Sequence, residues 1–147
     1  MTLSKRFLLD VNVLVALTSK EHEHYRKANS WFNSQQNAEW GVCPLTEAGY
    51  MRLATNPNTR LGAGNFPEAN AVLVNLAKKS GYCYWPMKES WGKLTAPFED
   101  RIFGHQQVTD AFLLGLAIKE NGVLVTFDRG LKYMAGSEFS RNLLVLE

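Results

Sequence analysis

Acidic side chains stand at four places in this sequence where they could act together. Asp10 interrupts the apolar run FLLDVNVLVAL directly after RFLL, and Asp128 follows GVLVTF in the same way. Glu47 and Asp110 each come directly after a threonine, at the predicted first turn of a helix. Helix amino termini carry orphan N–H groups and partial positive charge, so an acid in a first turn is individually favourable. Each of the four acids therefore lies at the end of a predicted strand or the start of a predicted helix.

These positions share one edge if the strands form a parallel sheet. In an open α/β sheet, ligands bind where the strands end and the following helices begin, so we expect the four acids to meet there. Carboxylates gathered within a few Å raise one another's pKa and repel, and a bound divalent cation removes the repulsion. Hard oxygen ligands favour Mg²⁺, with Mn²⁺ as a substitute, over zinc.

The chemistry that follows is hydrolysis of a phosphodiester bond. Magnesium held by a few carboxylates retains water and leaves positions for phosphate oxygens. One or two ions would activate a water molecule and neutralise charge in the transition state; the sequence leaves their number open. The sequence contains neither a GxSxG nucleophile elbow nor a GxxxxGK[ST] phosphate loop, so it offers no comparable alternative nucleophile.

Composition indicates one soluble domain spanning residues 1–147. The chain has 147 residues, 46% of them hydrophobic, and no apolar stretch of the roughly 20 residues that a membrane span requires. The start, MTLSKRFLLD, lacks the pattern of a signal peptide, so we expect a cytoplasmic protein. The net charge of +2 does not by itself indicate a nucleic-acid partner. Cys43 and Cys83 are expected to be reduced thiols rather than a disulfide or zinc site.

Apolar periodicity predicts alternating strands and helices, which is typical of the α/β class with a central, mostly parallel sheet of about four to five strands and helices on both faces. The predicted strands are RFLLD, EWGVCP, GVLVTFD and NLLVLE, with YCYWP as a further candidate. Helices are predicted over residues 22–35, from an N-cap at Thr46, over 66–79 and from Thr109 to Gly122, with a short turn after Asp128. The segment NPNTRLGAGNFP is predicted to be a loop, and residues up to Gln107 to be irregular.

Four segments, LLDVNVLVAL, PLTEAGYMRL, VTDAFLLGLA and LVTFD, occur in an order that resembles the PIN-domain nucleases, and most closely the VapC-type toxins of toxin–antitoxin pairs. The resemblance implies a single PIN-like domain with magnesium-dependent endoribonuclease activity on an RNA substrate. It also implies a homodimer held inactive by a cognate antitoxin. The RNA target does not follow from the resemblance. The residues that it assigns as catalytic and metal-binding are Asp10, Glu47, Asp110 and Asp128, with Asn12 and Thr126 supporting them by hydrogen bonds.

Several residues around the acids have two interpretations. Arg52 could bind phosphate or pair with an acid, and Asn12 could instead cap the first helix. Arg129 and His105 could contact RNA, although a structural role is the simpler interpretation for His105. Trp85 and Trp91 could stack bases or seal the core.

A basic rim that attracts phosphate is expected from Lys5, Arg6, Arg26, Lys27, Arg52, Arg60, Arg129 and Lys132. The HxH formed by His22 and His24 is expected to be solvated or at the edge of a groove.

A binding protein without catalytic activity is the competing hypothesis. An acidic pocket could take up magnesium and RNA, or only a partner protein, and cut nothing; we keep this non-cleaving PIN-like module as the alternative. A phosphatase with a DxD start is disfavoured, because it would need a second aspartate where Asn12 stands.

Overall fold

A parallel sheet forms the centre of the computed structural model, which describes residues 5–59 and 64–147. In that part of the chain the sheet has four strands in the order β2-β1-β3-β4, and every neighbouring pair is parallel. This confirms the predicted α/β class and sheet. The strands are β1 (Arg6–Leu9), β2 (Glu39–Gly41), β3 (Val123–Thr126) and β4 (Leu143–Val145).

Helices cover both faces of the sheet. One face carries α1 (Val11–Thr18), α2 (Tyr25–Ser34), α3 (Pro44–Ala54) and α4 (Phe66–Leu76). The other face carries α5 (Trp91–Thr95), α6 (Val108–Lys119) and α7 (Leu131–Ala135). Short 3₁₀ turns lie at Ala96–Arg101, His105–Gln107 and Ser140–Asn142. Among the described residues, no helix is long and apolar enough to cross a bilayer.

The central strand β1 is apolar because both of its faces are buried. Phe7 and Leu9 pack into the core under α1 to α4, while Leu8 packs into the core under α5 to α7. A strand between two helical layers needs apolar side chains at consecutive positions rather than at alternate ones. The run RFLL therefore fixes β1 at the centre of the sheet, and Asp10 marks the point where the chain leaves it.

Several predicted boundaries are wrong. Thr46 does not cap α3, because the helix begins at Pro44 after Cys43, where proline's missing N–H costs nothing. Helix α2 begins at Tyr25 rather than residue 22, and α4 ends at Leu76 rather than residue 79. The candidate strand YCYWP forms one parallel bridge, between Trp40 and Tyr82. Residues 60–63 of the predicted loop NPNTRLGAGNFP lie outside the described residues.

The segment before α6 is more ordered than the sequence predicts. Its residues form α5 and two 3₁₀ turns, with Leu94 and Phe98 buried against α6 and α7. Trp85 is only 2% exposed, so it belongs to the core and cannot stack on a ligand. Trp91 packs edge-on against Phe112, with 5.0 Å between ring centroids. Cys43 and Cys83 are both free thiols, although only Cys43 is fully buried.

A glycine lets α3 lie directly on the first turn of α1. A Cβ atom added to Gly49 would stand 2.5 Å from Cγ2 of Val11, which is far inside van der Waals contact. Valine is branched at Cβ and cannot rotate freely away. The absence of a side chain at residue 49 therefore sets the spacing between the helix that carries Glu47 and the helix that follows Asp10.

We predict that Gly49→Ala destabilises the protein. Overpacking typically costs about 1–3 kcal/mol, whereas Gly→Ala within a helix gains roughly 0.5–1 kcal/mol, so the net change should be a loss. Gly92→Ala is the matched control, because a Cβ at Gly92 in α5 meets no atom within 4 Å and should be neutral or stabilising. Urea unfolding of both variants measures the difference; equal stabilities would contradict the close packing at Gly49.

Candidate functional site

Asp10 is a buried carboxylate at the end of the central strand. It is 5% exposed, and its backbone N–H donates to the carbonyl of Val125, which extends the pairing of β1 with β3. Its Oδ1 accepts from the N–H of Val11 at 2.7 Å, so Asp10 is the N-cap of α1. Burial raises the pKa of Asp10, while hydrogen bonds from Thr126 and Val11 act in the opposite direction. Asp10 is thus both a helix cap and an acid facing the edge of the sheet.

The hydroxyl of Thr126 connects two of the predicted acids. It donates to Oδ2 of Asp10 at 2.7 Å and accepts from the N–H of Asp128 at 3.0 Å. The side-chain amide of Asn12 lies 3.5 Å away, and its Oδ1 accepts from the N–H of Phe127 at 3.3 Å. A hydroxyl has one proton and two lone pairs, so these contacts use the full capacity of Thr126. Asn12 is inside α1 and does not cap it; it joins α1 to the end of β3.

Asp110 and Asp128 complete a group of three aspartates with Asp10. Asp110 lies half-buried in the first turn of α6, and burial together with the charges of Asp10 and Asp128 raises its pKa from 3.8 to about 7. Asp128 is exposed after β3, and its Oδ1 accepts from the N–H of Gly130 at 2.8 Å. The group therefore opens from buried Asp10 toward solvent at Asp128.

Glu47 lies at the same edge of the sheet, in the first turn of α3. Its helix is tied to β1 by the hydroxyl of buried Thr46, which donates to the carbonyl of Leu9 at 3.0 Å. Partial burial raises the pKa of Glu47, and its charge raises the pKa of Tyr82 and Tyr84, after burial in each case. The charges that act on Asp10 and Asp110 come from the aspartates. The charges of the three aspartates thus act within their group, whereas the charge of Glu47 acts on the tyrosines.

The four acids have no cationic partner in the protein as described. In residues 5–59 and 64–147, no basic side chain forms an ion pair with any of them. Over the same residues, no three His, Cys, Asp or Glu side chains converge to hold a single ion. Magnesium does not need three convergent ligands, because one or two carboxylates with water and phosphate oxygens commonly suffice. The oxygen donors and uncompensated charge of the three aspartates fit such an ion.

The predicted RNA-binding residues lie on different sides of the acids. Arg52 has no acidic partner among the described residues and lines a cavity of about 410 Å³ with Val11 and Thr109. Arg129 follows Asp128 but pairs with Glu147, 3.6 Å from Nε to Oε1. His105 is exposed in the 3₁₀ turn that precedes α6. All three remain predicted RNA contacts, with Arg52 on the α1–α3 side and the other two on the α6–α7 side.

The predicted basic rim is wrong in part. Arg6 starts β1, so it lies at the opposite edge of the sheet, where it pairs with Glu39 and stacks over Trp85. Lys5 precedes it at that edge, and Arg60 is outside the described residues. A basic residue near the start of a strand cannot reach acids at its end, and strand direction alone would have excluded Arg6 and Lys5 from the rim.

The HxH lies beside the end of β3, because His24 stacks on Phe127 with ring centroids 4.7 Å apart.

Sequence comparisons relate the chain to characterised proteins. A family model described as the PIN domain matches residues 7–137. Ribonuclease VapC38 of Mycobacterium tuberculosis (strain ATCC 25618 / H37Rv) is 41% identical over 128 residues, which cover 87% of this chain and 89% of that protein. Ribonuclease VapC39 of Mycobacterium tuberculosis (strain CDC 1551 / Oshkosh) is 36% identical, over 84% of this chain and 89% of that protein.

Solved structures share the fold. VapBC2 from Rickettsia felis, crystallised with a DNA fragment from its promoter, superposes with a TM-score of 0.59 at 19% identity, over 95% of this chain and 96% of that one. Mycobacterium tuberculosis VapC20, described as a sarcin-ricin loop cleaving toxin, gives a TM-score of 0.62 at 10% identity, over 89% and 95%. At these identities the likeness concerns the fold alone.

We predict that the Thr126 hydroxyl stabilises the site measurably. Thr126→Val keeps the shape of the side chain but leaves Asp10 Oδ2 and the N–H of Asp128 without their partner, at a cost of about 1–3 kcal/mol. Thr126→Ser keeps the hydroxyl and loses one methyl group, which costs roughly 0.8 kcal/mol. Chemical denaturation of the two variants provides the measurement. If the valine variant were as stable as the serine variant, the hydroxyl would not hold the acids.

We also predict that Asp110 makes the metal-free protein less stable as the pH rises. Because its pKa is raised from 3.8 to about 7, folding takes up a proton between these pH values. The stabilising contribution is complete below the unfolded pKa and is lost as the pH rises through the folded pKa. Asp110→Asn should flatten the dependence of the unfolding free energy on pH in this range, as measured by urea unfolding in EDTA at a series of pH values. If the unfolding free energies of the two proteins changed in parallel with pH, the prediction would be refuted.

Proposed function

The chain belongs to the PIN-domain family, and from this premise we propose that it is a metal-dependent endoribonuclease, the toxin component of a VapC-type toxin–antitoxin pair. The observation that carries the proposal is the group of three aspartates, two of them joined through Thr126 and the third, Asp110, acted on by both of their charges, with no cation of the described residues to balance it. Burying a carboxylate as deeply as Asp10 costs free energy unless the charge is paired or binds a metal ion. Relatives named as ribonucleases, at 41% and 36% identity, support an RNA substrate.

The metal ligands in this proposal are the acids themselves. Asp10, Asp110 and Asp128 would bind one or two Mg²⁺ ions, or Mn²⁺ in their place, with Glu47 contributing from α3 at the same edge. Such an ion lowers the pKa of a bound water and neutralises charge on phosphate oxygens. The protein's own contribution is orientation, because Thr126 and Asn12 fix the acids at the ends of β1 and β3. The raised pKa of Asp110 suits it to share or release a proton as the ion binds.

Basic side chains beside the acids would bind the RNA backbone. Arg129 and Lys132 both contact Oε1 of Glu147, at 3.6 Å and 2.7 Å, and all three side chains are well exposed. Exposed pairs of this kind are worth little, so a phosphate could replace the glutamate at low cost. Arg52 would bind phosphate from the α1–α3 side, above the cavity that it lines. His105 would contact RNA beside α6.

Two protein partners belong to the proposal. The resemblance to VapC-type toxins and the fold shared with VapBC2 support a cognate antitoxin, which a small neighbouring gene should encode. Exposed Phe66 and Val74 on α4 support a homodimer, which light scattering of the purified protein would detect. We place the protein in the cytoplasm, where it would meet both RNA and the antitoxin.

The competing proposal is a PIN-like module that binds RNA or protein without cleaving. The observation that favours it is that no three acids of the described residues are arranged to hold one metal ion. Because the four acids are all present, we prefer the enzyme.

Asp10→Asn should abolish RNA cleavage. The substitution preserves size and the cap of α1 but removes a negative charge from the metal site, so we expect a loss of about 100-fold or more in rate. EDTA should abolish cleavage by the unmodified protein, and Mg²⁺ should restore it. Denaturing gels of structured RNAs incubated with each protein measure the activity.

The matched control is Asp100→Asn, an equally conservative change at an exposed acid outside the site. It should cleave at the unmodified rate. Cleavage by Asp10→Asn that persists at that rate would overturn the proposal. Binding of RNA without metal-dependent cleavage by the unmodified chain would support the non-cleaving module.

A further inference from the structure

Two aromatic rings lie exposed and in contact on the α6–α7 side of the molecule. Phe103 is 68% exposed and Tyr133 is 62% exposed, and their ring centroids are 5.4 Å apart with an interplanar angle of 41°. Large apolar side chains exposed together usually mark an interaction site. Neither ring contributes to the cores described above. Their exposure therefore calls for a function outside folding.

The segments that carry the two rings are tied to each other. The guanidinium of Arg101 donates from Nε to the carbonyl of Met134 at 2.8 Å and from Nη2 to that of Ala135 at 3.2 Å. The backbone N–H of Phe103 donates to Oε1 of Gln107 at 2.7 Å. These bonds act within two residues of Phe103 and directly after Tyr133. The rings are thus presented by an ordered backbone, which reduces the entropic cost of using them to bind a ligand.

The rings flank two of the aspartates along the chain. Gln107, which holds Phe103, is the N-cap residue of α6, and Asp110 lies in the first turn of that helix. Tyr133 is on α7, the helix that directly follows Asp128. The aromatic pair therefore connects the segment that leads into Asp110 with the segment that leads away from Asp128. Phe103 precedes Asp110 by seven residues and Tyr133 follows Asp128 by five, so short segments join the pair to the acidic site.

We propose that Phe103 and Tyr133 stack an unpaired nucleobase of the RNA whose backbone lies at the aspartates. This inference rests on the proposed ribonuclease function and adds a substrate-positioning residue pair to it. Base stacking on aromatic side chains is tolerant of sequence, because every base has a π-face. The substrate class is therefore RNA that is single-stranded at or beside the cleaved bond.

A nucleobase fits this pair better than a protein partner does. Two aromatic side chains offer at most a few hundred Å², whereas stable protein interfaces bury roughly 800 Å² on each partner. Four exposed residues near the rings along the chain are polar or lack a side chain: Gly104, His105, Gln106 and Lys132. Lys132, whose Nζ lies 2.7 Å from Oε1 of Glu147, is the cation next to Tyr133 that would contact the phosphate accompanying the base. Trp85, one of the two tryptophans that the sequence offers for stacking, is excluded by its burial.

The test uses binding in the Asp10→Asn protein, which should hold RNA without cutting it. Single-stranded oligoribonucleotides carry 2-aminopurine at successive positions, and quenching of its fluorescence reports stacking. We expect strong quenching at one position, with Phe103→Ala and Tyr133→Ala each weakening binding by roughly tenfold and removing the quenching. Tyr133→Phe keeps the ring and should behave like the parent. Phe103→Tyr is the matched change at the other ring, keeps that ring and should also behave like the parent.

Kinetics in the otherwise unmodified enzyme give a second readout. Loss of either ring should raise KM with little change in kcat, because the rings bind a base and do not touch the reacting phosphate. Unchanged affinity, quenching and KM in both alanine variants would overturn the inference while the ribonuclease function stands. If affinity, quenching and KM were unchanged and light scattering showed that the alanine variants no longer dimerise, the pair would instead belong to a protein interface.

Failure of the ribonuclease function is distinguishable from failure of the stacking pair. Ring-dependent binding and quenching in a chain that never cleaves RNA would support the pair and overturn the enzyme. A chain that neither binds these oligoribonucleotides nor cleaves RNA would overturn both.

Discussion

The hydroxyl of Thr126 lies between the ends of two adjacent parallel strands, and the acidic site depends on the bonds that it makes. It holds a carboxylate oxygen of Asp10 on one side and the backbone N–H of Asp128 on the other. The same contact partly offsets the effect of burial on the pKa of Asp10. A hydroxyl suits this position because it can donate and accept at once, so it binds a negative group and an N–H group in the same place. Without it, β1 and β3 would still pair through their backbones, but the acids at their ends would have no common partner.

The sequence predicts the parts of this arrangement that follow from strand burial and direction. Consecutive apolar residues in RFLL and VLVT place both strands inside the sheet, and a parallel sheet brings their carboxyl ends to one edge. The position of the acids at that edge therefore needs no knowledge of the helices. The same rule excludes Arg6 from the rim, since it stands at the start of β1. Helix starts are less predictable: proline at residue 44 can begin α3, and Thr46 then turns inward to bond the carbonyl of Leu9.

Distances between side chains on different elements could not be predicted. Glu47 and Asp110 have the same sequence context, a threonine followed by an acid, yet their surroundings differ. The charges of Asp10 and Asp128 act on Asp110, whereas Glu47 lies beside Tyr82 and Tyr84. Such surroundings depend on how each helix packs on its neighbours, and α3 packs on α1 through the missing side chain of Gly49 against Val11. The contact between Phe103 and Tyr133 likewise depends on the bonds of Arg101 to α7, and no local pattern indicates a pair 30 residues apart.

The strand order has a consequence for when the protein becomes active during its own synthesis. Asp10 and Thr126 are separated by 116 residues, and β3 is the strand that completes the site. Contacts this distant along the chain form only after the intervening polypeptide has been made, and domains fold as it emerges from the ribosome. A nascent chain that lacks β3 therefore carries Asp10 without the partners that orient it. The translating ribosome is itself largely RNA. It therefore meets a complete nuclease site only after nearly the whole polypeptide has emerged.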